Sequence, residues 1–287
     1  MAKQFTWGEA VDETLRTRPT WRPGSGGTKA ATINCGHFTQ FRGLSFPCNK
    51  INIAIMEDLG VELQDAGKSD ATINRVTSAV RTVLNHCARR ELCNPPPKYT
   101  VRGEDEVRLT WFSKANVDTM IRASIDIWDR EDLADIIDVA AYTGMRQGEL
   151  LKIKVRDIDL RTGLIHVGGR PDQRTKASNY RAIPIHERIS RTLHGRLEYA
   201  NPNVRVFGDE WSNKDQLYGA FKKVRKYAGF DDSLVFHSLR HSFATWHAEA
   251  GTPMRTLMTL MGHKRIETTL RYAHASDEAA VQAMSAI

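Results

Sequence analysis

Residues 237–241 read HSLRH, two histidines four apart with an arginine between them. Histidines at i and i+4 share one helical face, the way a zinc protease presents two ligands, but such a site also needs a general-base carboxylate beside the first histidine. That position is Ser238. Arg240 follows His237 by three residues and projects from nearly the same face, where a fixed cation repels a divalent metal and attracts a phosphate. Alone, such a cluster is more often a solvated or capped helix start than an active site. Two further blocks accompany it. AYTGMRQGELLKIKV places Arg146 just past a glycine turn, with Glu149 three residues on, and LMGHKRIETTLRYAH places His263 at a helix end and Tyr272 nine residues later.

The rest of the chain must position these groups. Its 287 residues are 41% hydrophobic, enough for two domains with their own cores. Forty-one Lys and Arg against 34 Asp and Glu give a net charge of +7, which fits a polyanionic partner. No run approaches the roughly 20 apolar residues of a membrane span, and MAKQFTWGEAVDETL carries charges where a signal peptide has its apolar core. The expected location is the cytoplasm, with no membrane partner. Cys35, Cys48, Cys87 and Cys93 form no CxxC pair and have no histidine at finger-like spacing, so they are expected to be reduced packing residues.

A T-x-x-E capping box from Thr6 to Glu9 opens a first helix, and RPGSGG breaks the chain after it. ATINRVTSAVRTVLNHCARREL repeats Ile73, Val76, Val80, Val83, Leu84 and Cys87 at helical spacing, leaving Arg75, Arg81, Arg89 and Arg90 for a basic outer surface. NPPPKYT ends that helix, because proline cannot continue it. The expected organisation is a helical N-terminal domain over 1–100, an extended linker over 101–112, and a second domain over 113–287 ending in a helix over 276–286. In the second domain, SKANVDTMIRASI opens on a serine cap, and DREDLADIIDVAAYTG reads as a strongly amphipathic core helix ending at Gly144. GLIHVGG and NYRAIPI predict a small antiparallel hairpin around the basic loop RPDQRTKAS. Helical patterns then run from HERISRTLHGRLEY to the end.

In order and spacing, TGMRQGEL, HSLRH and LMGH with Tyr272 nine residues on resemble the tyrosine recombinases, the phage integrase and Xer family. The likeness is close over roughly residues 113–275; residues 1–100 match only in kind. It implies a mainly α protein in which an all-α core-binding domain is joined by an extended linker to an α+β catalytic domain with a small antiparallel sheet. It also implies the chemistry. A phosphodiester is a poor electrophile with a poor leaving group, so an enzyme without metal must neutralise its non-bridging oxygens. Arg146 and Arg240 are the pair expected on the scissile phosphate, because the guanidinium fork donates two hydrogen bonds and keeps its charge. Tyr272 is the expected nucleophile, giving a 3′-phosphotyrosine and a free 5′-hydroxyl. His237 accepts the tyrosine proton or hydrogen-bonds the phosphate, and His263 is a further phosphate donor. The resemblance places a general-acid lysine in the hairpin turn, at Lys176, with Arg174 and Arg170 as basic competitors. Glu149 supports an arginine or histidine without doing chemistry, or serves structure alone. His241, His247 and His274 fall outside the matched positions and are expected to be structural or DNA-facing.

The implied activity is site-specific recombination through a Holliday junction, of the kind that integrates viral genomes, with neither metal nor ATP required. The implied partners are duplex DNA bearing paired core-type sites, three further protomers in a tetramer on DNA (a monomer in solution), and accessory DNA-bending or directionality proteins. The setting would be a bacterial host's cytoplasm or nucleoid. Arg75, Arg81, Arg89, Arg90 and Arg174 are the expected DNA contacts. Three alternatives share parts of the pattern: a type IB topoisomerase, a non-catalytic DNA-binding accessory protein, and a metal-dependent nuclease, which the missing carboxylate cluster opposes.

Overall fold

The computed structural model of the protein describes residues 4–103, 109–169, 180–198, 200–207, 211 and 213–273. The chain forms two compact units, Met1–Val107 and Arg108–Ile287.

The first unit is built from α1 (Trp7–Thr17), α2 (Thr28–Arg42), α3 (Ile53–Asp65) and α4 (Asp70–Ala88), with a short 3-10 turn at Cys48–Lys50. The capping box at Thr6 is formed in both directions: the Thr6 N–H donates to Glu9 Oε2 at 2.9 Å and the Glu9 N–H to Thr6 Oγ1 at 3.4 Å. α4 packs against the other three helices, and Ile73, Val76, Val80, Val83, Leu84 and Cys87 all lie in the core with Trp7, Phe38 and Met56. The four cysteines are free, and burial pushes the Cys35 and Cys48 thiols up to about 12, so they stay protonated packing groups.

α4 is shorter than its sequence pattern suggests. It stops at Ala88, and Glu91 turns the chain with φ 59°, so Arg89 and Arg90 stand in a turn beyond the helix and off its outer face. Arg90 also pairs with Glu13 of α1 at 2.8 Å, a tertiary contact that no local pattern encodes. Arg75 is exposed and Arg81 half-buried. The expected linker divides between the units. Arg102 exchanges two 3.0 Å hydrogen bonds with the Asn74 amide in the first unit. Thr110 donates to Ser233 O at 2.9 Å, and the Phe112 N–H to Ser242 Oγ at 2.8 Å, in the second.

The second unit is α+β. Its elements are α5 (Lys114–Trp128), α6 (Glu131–Thr143), the single turn α7 (Gln147–Leu150), strands β1 (Ile158–Asp159), β2 (Leu164–Val167) and β3 (Arg181–Pro184), then α8 (Glu187–Leu197), α9 (Lys214–Tyr227), α10 (Ser238–Glu249), α11 (Met254–Met261) and α12 (Glu267–Leu270). The hairpin predicted from sequence is β2–β3, in register Ile165↔Ile183 and Val167↔Arg181. β1 adds a third antiparallel strand among the described residues; at two residues it is too short to leave an alternation in the sequence. The hairpin loop with Arg170, Arg174 and Lys176, and the expected final helix over 276–286 with His274 before it, lie outside the described residues.

α6 corrects its amphipathic reading. Residues 133–134, 136–141 and 143 are all buried, so the helix is the hub of the unit and has hardly any solvent face. Its three aspartates do not break the core because each meets an arginine: Asp132 pairs with Arg130, Asp135 with Arg196 and Asp138 with Arg188, at 2.7, 2.6 and 2.8 Å. Gly144 ends it in the left-handed conformation (φ 59°), where an added Cβ would stand 2.5 Å from the Phe243 ring of α10. Chain reversal and close helix packing therefore coincide one residue before Met145, and two before Arg146.

Candidate active site

Three arginines converge on the C-terminal end of α11. The last carbonyls of a helix lack intrahelical partners and carry the negative end of its dipole, so cations are held there. Arg181 Nε donates to Leu260 O at 2.7 Å, Arg240 Nη2 to Met261 O at 2.5 Å and Arg146 Nη2 to Gly262 O at 3.4 Å, three consecutive carbonyls. Arg240 Nη1 also donates to Gly144 O at 2.5 Å, which joins the end of α6 to the end of α11. Gly262 permits the approach: its φ is 64°, and a Cβ would lie 2.9 Å from Arg181 Nη1.

Glu149 balances this charge. It accepts from Arg181 Nη1 at 3.1 Å and Nη2 at 2.8 Å, from Arg146 Nη1 at 3.1 Å and from the Arg146 N–H at 2.8 Å. Burial alone would raise its pKa, but Arg181 above all, together with Arg146, holds it down at about 2. Arg181 is 2% exposed, so Glu149→Gln leaves an uncompensated cation in the core. That change should cost about 3–5 kcal/mol, seen as a fall in melting temperature of roughly 6–20 °C for a unit this size. The same linkage fixes a pH dependence. Because the folded pKa lies below the unfolded one, near 4.3, the contribution is fully present above that value. It is lost as pH falls towards 2, and the Gln variant should lose the corresponding part of its acid transition in thermal melts.

Arg240 is 3% exposed and Arg146 has 43% of its side chain open to solvent, so one cation is fixed in the wall and the other stands at the mouth. Burial, then Arg146 and Arg181, lower the Arg240 pKa to about 10, which leaves it charged at neutral pH. The surplus positive charge acts on the histidines. His263 has its pKa lowered to about 4, by burial first and then by Arg240 and Arg146. Its Nδ1 lies 2.9 Å from the Thr269 hydroxyl; when that nitrogen accepts, Nε2 carries the hydrogen and can donate to a ligand. His237 keeps an edge open to solvent, but the protein packed round its ring, with Arg240 and Arg146, lowers its pKa as well.

Tyr272 follows α12 and is 4% exposed, its ring in a small apolar cluster with Phe243, Leu257 and Met261. Its hydroxyl meets His241 Nδ1 at 2.6 Å. Burial raises the tyrosine pKa against the pull of Arg240 and Arg271, and burial with neighbouring cationic groups lowers that of His241 to about 4, so a neutral phenol faces a neutral imidazole. His237 stands edge-on to His241, ring centroids 4.9 Å apart.

Arg146, His237, Arg240, His263 and Tyr272 thus share one region, with Glu149 beneath the arginines. The sequence reading missed two of its members. His241, set aside as structural or DNA-facing, holds the Tyr272 hydroxyl. Arg181 anchors Glu149 and α11; its signal was a charged residue two positions before the inward-facing Ile183 of the same strand, where only a paired cation can be buried. No group of three or more His, Cys, Asp or Glu residues with metal-ligand geometry occurs among the described residues, and no described helix is long and apolar enough to cross a membrane.

The model of the phage integrase family matches residues 110–279, more than half of the chain. The chain belongs to the phage integrase family. As a tyrosine recombinase it is similar to tyrosine recombinase XerC of Staphylococcus epidermidis, 26% identical over 72% of each chain, and to tyrosine recombinase XerD of Oceanobacillus iheyensis, 25% identical over 75% of this chain and 74% of the other. Its fold is that of the Tn1549 transposon integrase, solved in complex with a circular intermediate DNA (TM-score 0.76, 20% identity, 99% of this chain and 100% of the other). The lambda integrase bound to a core site has the same fold (TM-score 0.72, 16% identity, 95% of this chain and 78% of the other). The recombinase is an enzyme of site-specific recombination.

Proposed function

We propose that the recombinase binds duplex DNA and breaks and rejoins it at paired core-type sites through a 3′-phosphotyrosine, with Tyr272 as nucleophile. The observation that carries this reading is the meeting of Tyr272 with His241 beside two arginines, Arg146 and Arg240, which are anchored on the adjacent carbonyls of Gly262 and Met261. Arg146 and Arg240 would hold the non-bridging oxygens as charge builds on the pentacoordinate phosphorus, and His237 and His263 would donate to the same oxygens or take the phenol proton. Lys176 remains the proposed acid for the departing 5′-oxygen, and Glu149 the proposed support of Arg146. The transposon integrase was solved with a circular intermediate DNA and the lambda integrase with a core site; duplex DNA is the partner proposed here. Residues 1–100 would serve as the core-site domain through Arg75, Arg81, Arg89 and Arg90, with Arg174 contributing from the hairpin loop. Four protomers would assemble on two sites and resolve a Holliday junction, with accessory bending or directionality proteins, in the compartment that holds the DNA.

A suicide substrate tests the reading. When the DNA is nicked so that the 5′-hydroxyl fragment diffuses away, the wild-type protein should accumulate as a covalent adduct resistant to denaturant. The yield should be the same in EDTA as with added magnesium or zinc, since the proposed phosphate ligands are arginines and histidines. No adduct on any such substrate, or one that forms only with metal, would overturn it.

A further inference from the structure

Beside Arg146 a cavity of about 510 Å³ is lined by Gly148, Glu149, Lys152, Asp157 and Lys214. Its acids are already engaged: Glu149 by Arg146 and Arg181, and Asp157 by the Lys154 N–H at 2.9 Å. Neither Lys152 nor Lys214 has an ion-pair partner among the described residues. The lining therefore sets three cations, Arg146, Lys152 and Lys214, against two acids and is net cationic.

Lys214 is also held in place. It is the first residue of α9, and its carbonyl accepts from Gln147 Nε2 at 3.0 Å, which ties the start of α9 to the turn that carries Arg146. Its stem runs across Gly148 so closely that a Cβ there would stand 2.9 Å from Lys214 Cε and 3.1 Å from Nζ. With glycine at 148 that ammonium lies against the backbone two residues from Arg146, a place from which a Cβ would push it aside. A surface lysine with no partner would extend into solvent to keep its rotamer freedom; this one folds back over the rim of the proposed scissile-phosphate site.

We propose that Lys214 binds a DNA phosphate next to the scissile one in the cleaved strand, and so registers the strand on Arg146, with Lys152 as a second cation of the same subsite. The inference rests on the recombinase reading of the site. Lys214 contributes a point charge on a flexible stem, suited to a phosphate that must be held while the strand shifts during exchange, whereas the fixed guanidinium forks take the reacting phosphate itself.

The test is single-turnover adduct formation on suicide DNA carrying one neutral methylphosphonate at a time, at each phosphate flanking the scissile position. Lys214→Met keeps an unbranched stem over Gly148 and removes only the charge. On ordinary DNA it should slow cleavage at sub-saturating DNA about tenfold, the loss of one charge-assisted phosphate contact, and lower the salt slope of binding by about one. Lys214→Arg should recover most of both. At one flanking position the methylphosphonate should slow the wild type by a similar factor and leave Lys214→Met no slower than wild type. If Lys214→Met cleaves ordinary DNA at the wild-type rate, or is slowed by the same factor on every methylphosphonate substrate, the proposal is wrong. A wild-type protein that forms no adduct at all sinks the recombinase reading instead.

Discussion

Tyr272→Phe should bind DNA as tightly as the wild type, within about twofold, and form no covalent adduct. The variant is a clean probe because of where the ring sits. Tyr272 is packed with Phe243, Leu257 and Met261, so truncation to alanine would open a cavity costing about 3–5 kcal/mol and confound chemistry with unfolding. Phenylalanine keeps the ring and removes one oxygen. The lost hydrogen bond to His241 leaves a polar atom that is only half-buried, a cost on the order of 1 kcal/mol. The neutral imidazole of His241, with its pKa near 4, remains in place. The measurement is a denaturing gel of the trapped complex alongside a binding isotherm. An adduct in the Phe variant would move the nucleophile elsewhere; a loss of binding in proportion to the loss of adduct would make Tyr272 a contact residue.

Most of the frame that carries this site was legible in the sequence because it rests on local rules. Gly144 and Gly262 follow apolar helical runs and end them in the left-handed conformation, as a C-terminal glycine should. Ser113 caps α5, and the Leu164 and Arg181 strands pair as their β-rich patterns suggest. The grouping of the arginine, histidine and tyrosine blocks into one site came from their resemblance in order and spacing to the tyrosine recombinases. What could not be read is what the tertiary fold sets. His241 was visible as the fourth residue after His237, but its pairing with Tyr272 depends on α11 and α12 returning the chain across 31 residues. Glu149 was legible as a neighbour of Arg146, yet its principal partner, Arg181, comes from 32 residues away. The convergence of three arginines on Leu260, Met261 and Gly262 has no sequence signature, since each guanidinium reaches a carbonyl, and every residue has one. In the first unit the same limit shows in Arg90, which charge pattern offered to solvent and which tertiary packing gives to Glu13.

That convergence makes Arg240 the residue whose loss should be felt most widely. Its guanidinium spans Gly144 O and Met261 O, both at 2.5 Å, and the donors left over are those proposed for the scissile phosphate. Arg240→Ala should therefore slow adduct formation by at least two to three powers of ten, the usual cost of one preorganised donor to developing oxyanion charge. It also strands two buried helix-end carbonyls, at roughly 1–3 kcal/mol each. Arg240→Lys separates the two effects. A lysine can satisfy one carbonyl and retains the charge, so stability should recover in part, but a single ammonium cannot bridge two helix ends and grip a phosphate in one plane, so the rate should stay low. The histidines supply a readout that simple unfolding would not reproduce. Burial is the first cause of their lowered pKa values, and Arg240 is the foremost charge acting on both His237 and His263. Removing that charge in Arg240→Ala relieves the repulsion of their protonated forms, so both should titrate at higher pH, closer to the ordinary value near 6.5. The lysine variant should leave them nearly where they are. Imidazole titration by NMR checks this directly: unchanged histidines in Arg240→Ala, or wild-type cleavage by Arg240→Lys, would show that the buried arginine is a helix tie and not part of the anion site.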